Sequence, residues 1–301
     1  MKLCWSASSA CVNGLQLTFE TAGPAHGEPL MLVMGLGAQL IHWPDALCQD
    51  LAQRGFRLIR FDNRDTGLSA EVDRGVRVKL ARDWLRTRRG GACSSNYTLH
   101  DMADDAIGVL DVLGIARAHI VGVSMGGMIA QLLAAKFPQR VLSLSSIMSS
   151  TNHPRLPGAR LDVLLHVAGL TPRPKTREAV IKRSLTMLKR VGSPGFPTPV
   201  EYRAQLAGRA FDRAFRPAGV LRQTHAIVAT GSFEDLLPGI IAPTQIIHGL
   251  ADPLLRPACG RRSAQLIRGA RLELIPGMGH DLAPSLMPKW SGLIAANAAR
   301  A

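Results

Sequence analysis

The chain has 301 residues, 47% of them hydrophobic and 19% charged, enough to bury one large core with a smaller appendage and too apolar for extended disorder. A net charge of +14 and a pI of about 10.6 raise nucleic-acid binding, but the excess rests on 29 arginines against seven lysines. No basic run is interleaved with stacking aromatics, so nucleic acid is set aside as a partner.

No apolar run is long enough to span a bilayer, and the first 14 residues lack the continuous apolar stretch of a signal peptide. The five cysteines (Cys4, Cys11, Cys48, Cys93, Cys259) are scattered without a CxxC pair, the pattern of reduced thiols in a cytoplasmic protein. A Cys4–Cys11 bridge stays open. With no HExxH or paired-cysteine motif, neither a metal nor another cofactor is expected.

In chain order, "LQLTFETAG" at 15–23 alternates as a strand does, and "PLMLVMGLG" at 29–37 is an apolar run ending in glycines. "FRLIRFDNRDTGLS" at 56–69 repeats the form, a strand running into a polar turn. Thr98 and Asp101 then mark a helix start, and Leu99, Met102, Ala103, Ala106, Ile107, Leu110 and Leu113 recur at helical spacing up to Gly114. The strand "AHIVGV" and the helix "GGMIAQLLAAKF" follow, stopped by Pro138, and "VLSLSSIM" at 141–148 is a further strand.

Residues 151–240 change character, with many Pro and Arg residues and no clear strand, and 14 basic residues against 6 acidic ones. Three helix-like patches ("REAVIKRSLTMLKRV", "EYRAQLAGRAFDRAF" and "GVLRQTHAIVATG") predict a helical insertion whose apolar faces include Leu185, Leu188, Leu206 and Phe215. The strand–helix alternation resumes with "PTQIIHGLADPLL" and ends with "ARLELIPGMGHDL". Such alternation predicts βαβ units and a parallel sheet, with sites at the carboxyl ends of the strands. The expected organisation is a core domain of residues 1–150 and 241–301, interrupted by a helical cap at 151–240.

Chemistry-bearing residues fall at those strand ends. Gly122-Val123-Ser124-Met125-Gly126 fits G-x-S-x-G between a predicted strand and helix, a turn tight enough to exclude Cβ atoms and to present a serine hydroxyl. Ser124 needs a base. His280 follows a predicted strand and two glycines, and Asp252 lies just beyond another strand end, giving the order Ser124, Asp252, His280. His119 and His248 fall within strands, and His225 within the insertion. A negative oxygen formed during acyl transfer needs donors. The amide of Met125 is one candidate, and that of Leu36, in Gly35-Leu36-Gly37, is the other.

The motifs "VMGLG", "FDNRDTGLS", "GVSMGG", "HGLADPL" and "GMGH" together resemble a serine hydrolase of the α/β-hydrolase superfamily over essentially the whole chain outside the insertion. "FDNRDTGLS" is similar to the subgroup of small-ester hydrolases that includes aclacinomycin methylesterase. The resemblance implies an α/β fold, a mostly parallel eight-stranded sheet flanked by helices, with the helical cap inserted after the sixth strand. It makes Ser124 nucleophile, His280 base and Asp252 acid, with Leu36 and Met125 as oxyanion donors and no cofactor.

Met34 stands where many relatives carry a histidine, and Asp65 replaces a glycine common in the Asp-x-Arg-Gly-x-Gly-x-Ser turn. Asp62, Arg64, Gly67 and Ser69 are assigned to structure. The expected activity is hydrolysis, through an acyl-enzyme, of soluble short- to medium-chain or small-molecule carboxylic esters. Acyl transfer, thioester cleavage and carbon–carbon hydrolysis are alternatives on the same triad, and a non-catalytic receptor is the rival of another class.

Overall fold

Leu30 and Leu32 face one side of the central strand and Met31 and Val33 the other, all four without solvent exposure, so both faces of the sheet must be covered. The computed structural model describes residues 3–163 and 174–301, and residues 164–173 of the predicted insertion lie outside the described residues. The strands are β1 Ser6–Val12, β2 Leu15–Ala22, β3 Glu28–Val33, β4 Phe56–Phe61, β5 Ala118–Val123, β6 Val141–Ile147, β7 Thr244–Gly249 and β8 Arg271–Ile275. They form one eight-stranded sheet in the order β1-β2-β4-β3-β5-β6-β7-β8. β2 runs antiparallel to both β1 and β4, and the pairs from β4 through β8 are parallel.

Among the described residues the longer helices are α1 Asp45–Gln53, α2 Leu80–Arg88, α3 Leu99–Val112, α4 Met125–Lys136, α5 Arg177–Val191, α6 Val200–Arg213, α7 Pro217–Thr230, α8 Pro257–Leu266 and α9 Met287–Ala298. α3 and α4 cover one face with Met102, Ala106, Ile129 and Leu133, and α1 and α9 cover the other with Leu47, Leu51, Trp290 and Ile294. The reversal of strand order at β3, between β4 and β5, opens a crevice at the carboxyl ends of those strands.

The predicted start of α3 is present as a reciprocal cap. Thr98 accepts from the Asp101 amide, while Asp101 accepts from the Thr98 amide at 2.8 Å. α5, α6 and α7 occupy the segment between β6 and β7 where helices were expected. β1 had no signal in the sequence because its pattern, SASSACV, is small, polar and mostly exposed, and its pairing with β2 alone makes it a strand. None of the five cysteines forms a disulfide, so the open Cys4–Cys11 pairing does not occur.

Candidate active site

Ser124 sits at the junction of β5 and α4 with φ 56° and ψ −121°, a conformation that side-chain-bearing residues rarely adopt. Steric crowding on both sides forces it. A Cβ at Gly122 would stand 2.1 Å from the Gly126 carbonyl oxygen, and one at Gly126 would stand 2.1 Å from that of Val33. The Ser124 amide donates to the Ile147 carbonyl (2.9 Å) and the Ser149 hydroxyl donates to the Ser124 carbonyl (2.8 Å), so the turn is pinned from β6 as well. Its side chain projects from the amino end of α4, where the helix dipole is positive.

His280, from the turn after β8, reaches Ser124. Its Nε2 lies 2.9 Å from Ser124 Oγ, and its Nδ1 lies 2.7 Å from Asp252 Oδ2. Asp252 is completely buried beyond the end of β7, and its other oxygen accepts from the amides of Leu254 (2.8 Å) and Leu255 (2.9 Å). A carboxylate so placed only accepts, so His280 Nδ1 donates to it and Nε2 is left to accept the Ser124 proton. The three residues the sequence put forward therefore converge, in hydrogen-bond order.

The turn after β3 brings Leu36 beside them. A Cβ on Gly35 would lie 3.3 Å from Ser124 Cβ, which places this backbone against the serine. The amides of Leu36 and Met125 make no backbone hydrogen bond among the described residues. The missing histidine at Met34 is replaced by other support, as the Asn63 side-chain amide donates to the Met34 carbonyl at 3.0 Å.

The expectation that Asp62, Arg64, Gly67 and Ser69 are structural fits what they touch. Asp62 accepts from the amides of Leu40 (2.8 Å) and Leu68 (3.0 Å), and burial pushes its carboxyl up despite the Arg213 guanidinium 2.6 Å away. Ser69 donates to the Asp62 carbonyl (2.6 Å), and Arg64 grips Asp105 with two bonds of 2.6 and 2.7 Å. Asp65 has φ 68°, which is why glycine is at home in that turn. Its carboxylate has work of its own, binding Arg222 of α7 at 2.6 and 2.9 Å and accepting from the Tyr97 hydroxyl at 2.5 Å.

Two residues were passed over in the sequence. His248, four residues before Asp252, donates from Nε2 to the Leu255 carbonyl at 2.8 Å and lies 3.7 Å from Asp252 Oδ2. Its Nδ1 is buried without a partner, and burial holds the ring below its usual range, so it is a neutral prop for the Asp252 loop. The signal was its position near the end of a strand. Asp281, next to His280, accepts from the Ser193 amide (2.9 Å) and hydroxyl (2.5 Å) and the Thr198 hydroxyl (2.6 Å), tying the His280 turn to the loop after α5. The "HD" dipeptide carried that signal.

A cavity of about 270 Å³ lies between α5, α6 and α7 and the turns after β3 and β4. Its apolar lining includes Val180, Phe211, Phe215 and Val220, and its polar lining includes His42, Arg183 and Arg216. Ser124 and His280 do not line it, and it meets the Leu36 turn at Gly37. Of the four residues named on the apolar faces of the predicted insertion, Phe215 lies on it, beyond the end of α6. Leu185 does not line it, and Leu188 and Leu206 border a separate small void with His42 and Arg203. The wall is thus more polar than the helix patterns imply. Burial and the nearby Arg203, Arg209 and Arg213 hold His42 down to about 4.

The family model of the alpha/beta hydrolase fold matches residues 28–284, and the chain belongs to that family. Among its relatives is rhodomycin D methylesterase of a Streptomyces species, 29% identical over 293 residues that cover 87% of this chain and 88% of the relative. A putative carbamate hydrolase of Variovorax paradoxus is 28% identical over 276 residues, covering 88% of this chain and 90% of that one. Of solved structures, a meta-cleavage product hydrolase from Pseudomonas fluorescens superposes with a TM-score of 0.75 at 20% identity, covering 97% of each chain. An enol-lactonase from Burkholderia xenovorans gives 0.71 at 23% identity, covering 96% of this chain and 99% of the other.

Proposed function

We propose that the protein is a cofactor-independent carboxylic ester hydrolase in which Ser124, His280 and Asp252 act as a triad. The observation that carries this reading is the unbroken hydrogen-bond chain from Ser124 Oγ through His280 to Asp252, whose second oxygen is held by two amides. Ser124 Oγ attacks the acyl carbon as His280 Nε2 takes its proton. Asp252 keeps the ring in the tautomer that can do so and stabilises the imidazolium without taking its proton. The negative oxygen of the tetrahedral intermediate is stabilised by the amides of Met125 and Leu36. The intermediate expels the alcohol, which takes the proton from His280. A water, deprotonated by His280, then attacks the acyl-enzyme, and as the acyl–oxygen bond breaks His280 returns the proton to Ser124 Oγ and the acid departs.

Residues 151–240 serve as a cap, and the substrate is a soluble small-molecule ester that enters singly. The cavity meets the Leu36 turn at Gly37, and its mixed lining suits a substrate with polar functions besides the ester; relatives are named methylesterase and putative carbamate hydrolase. No helix among the described residues is long and apolar enough to cross a membrane.

The test is kcat/KM across methyl esters of bulky polar acids, p-nitrophenyl esters of rising acyl length, thioesters and lactones, with S124A as control. Preference for soluble esters with loss in S124A is expected. A steady rise into the longest chains with activation at an oil–water interface would make the protein a lipase instead. Turnover that survives in S124A would end the triad reading.

A further inference from the structure

The turn carrying Leu36 hangs from the insertion. The amide of Gly37 donates to Gln223 Oε1 at 2.8 Å, and Gln223 is a fully buried residue of α7. The side-chain nitrogen of Gln223 donates to the Arg64 carbonyl (2.8 Å) and to Thr66 Oγ1 (2.7 Å), in the turn after β4. A peptide N–H only donates and a peptide carbonyl only accepts, so one orientation of the amide satisfies both the Gly37 N–H and the Arg64 carbonyl and the flipped one satisfies neither of these two. Val220, one turn earlier on α7, packs against Gly37, where an added Cβ would come within 2.9 Å of its side chain.

The Gly-Leu-Gly backbone needs such an anchor. Glycines on both sides of Leu36 supply no Cβ to restrict the peptide planes, so the direction of the Leu36 N–H depends on the hydrogen bonds that hold the turn. Within the turn, the Ala38 amide donates to the Gly35 carbonyl at 3.2 Å, and behind it the Met34 carbonyl is held by Asn63. The remaining peptide group, at Gly37, is fixed by Gln223. An oxyanion donor acts only within a few tenths of an ångström of its proper place.

We propose that Gln223 is a positioning residue for the oxyanion loop, so that the insertion sets the geometry of the chemical step as well as enclosing the substrate. The inference rests on the reading of Ser124 as nucleophile and the Leu36 amide as oxyanion donor. Any displacement of α7 is transmitted through Gln223 to the Leu36 N–H, one residue away.

The experiment compares Q223M and Q223E with the wild-type protein and S124A, measuring kcat, KM and the inhibition constant of a trifluoromethyl ketone. That ketone adds to the serine and places an oxyanion in the hole. Q223M, close in size but without the hydrogen bonds, is expected to lose about ten- to hundredfold in kcat with KM within about twofold. The ketone should weaken by the same factor. Q223E still accepts from Gly37 but sets a second acceptor against the Arg64 carbonyl, so it too should lose kcat and ketone affinity together. Should Q223M fail to fold, Q223E and T66V carry the comparison, each expected to weaken kcat and ketone binding in parallel. Unchanged kcat and ketone affinity in a folded variant, or a fall in kcat without a matching loss of ketone affinity, overturns the proposal. If S124A is inactive while Q223M is fully active, the positioning role alone falls, whereas activity in S124A removes the parent reading.

Discussion

The two sides of the candidate site are held by different physics. On the core side, Ser124 is placed by close approach of backbones, with Gly122 and Gly126 each leaving about the space of one missing Cβ. On the insertion side, the turns after β3 and β4 are fastened to α6 and α7 by polar side chains. Arg213 reaches Asp62, Arg222 reaches Asp65, and Gln223 reaches Gly37. Shape complementarity of backbones tolerates almost no change, since every atom added there collides. Polar ties distribute the load, and each leaves a buried group unpaired when it is lost. The difference teaches that the candidate triad and the insertion can vary independently except where polar contacts join them, as Gln223 does at Gly37 and Asp281 at Ser193 and Thr198.

The largest effects should come from the core side. S124A or H280A should cost on the order of 10⁴-fold or more in ester turnover while thermal unfolding stays cooperative, because the members of a triad act as a unit. D252N should cost about ten- to hundredfold less than either, since this acid orients the imidazole and leaves the proton on it. A D252N protein as inactive as S124A would mean that Asp252 also holds the fold of its loop, blurring the contrast drawn above.

On the insertion side the expected losses are of stability. R222M leaves the buried Asp65 carboxylate without its bidentate partner and should cost about 3–5 kcal/mol by denaturant unfolding. The D65N/R222M double variant should recover part of that. If R222M instead abolished turnover in a folded protein, the two sides could not be treated as separate.

The smallest effect concerns His42. Its folded pKa of about 4 lies below the unfolded value of 6.5, so the unfolded chain binds the extra proton between those limits. The resulting stability is present above pH 6.5 and is lost as pH falls toward 4. A shift of that size is worth about 3 kcal/mol in full, and roughly half is expected because the ring edge meets the cavity. H42Q should flatten this part of the pH–stability curve, and an unchanged slope would contradict the assignment.

Much of the core side was legible in the sequence because its rules are local. Ser124, Asp252 and His280 each lie beyond the end of a recognisable strand, and steric crowding leaves a glycine signature around the serine. β1 was not legible because nothing in SASSACV distinguishes a paired edge strand from a loop. The insertion was visible as helices but not as a wall. Which of its residues line the cavity depends on partners 150 or more positions away, as in Arg213–Asp62 and Gln223–Gly37. No periodicity encodes those pairings. The supports of the proposed triad, His248 and Asp281, stood beside residues already singled out, but the contacts they make depend on the placement of the loops they bind.

The central claim is that Ser124 is activated by His280, and covalent labelling tests it most directly. Wild-type, S124A and H280A proteins are treated with a fluorophosphonate and analysed by intact mass and peptide mapping. The account predicts rapid stoichiometric labelling of wild type at Ser124, none at that position in S124A, and labelling slowed by several orders of magnitude in H280A. A wild-type protein left unlabelled, or one labelled at a different residue, would contradict it.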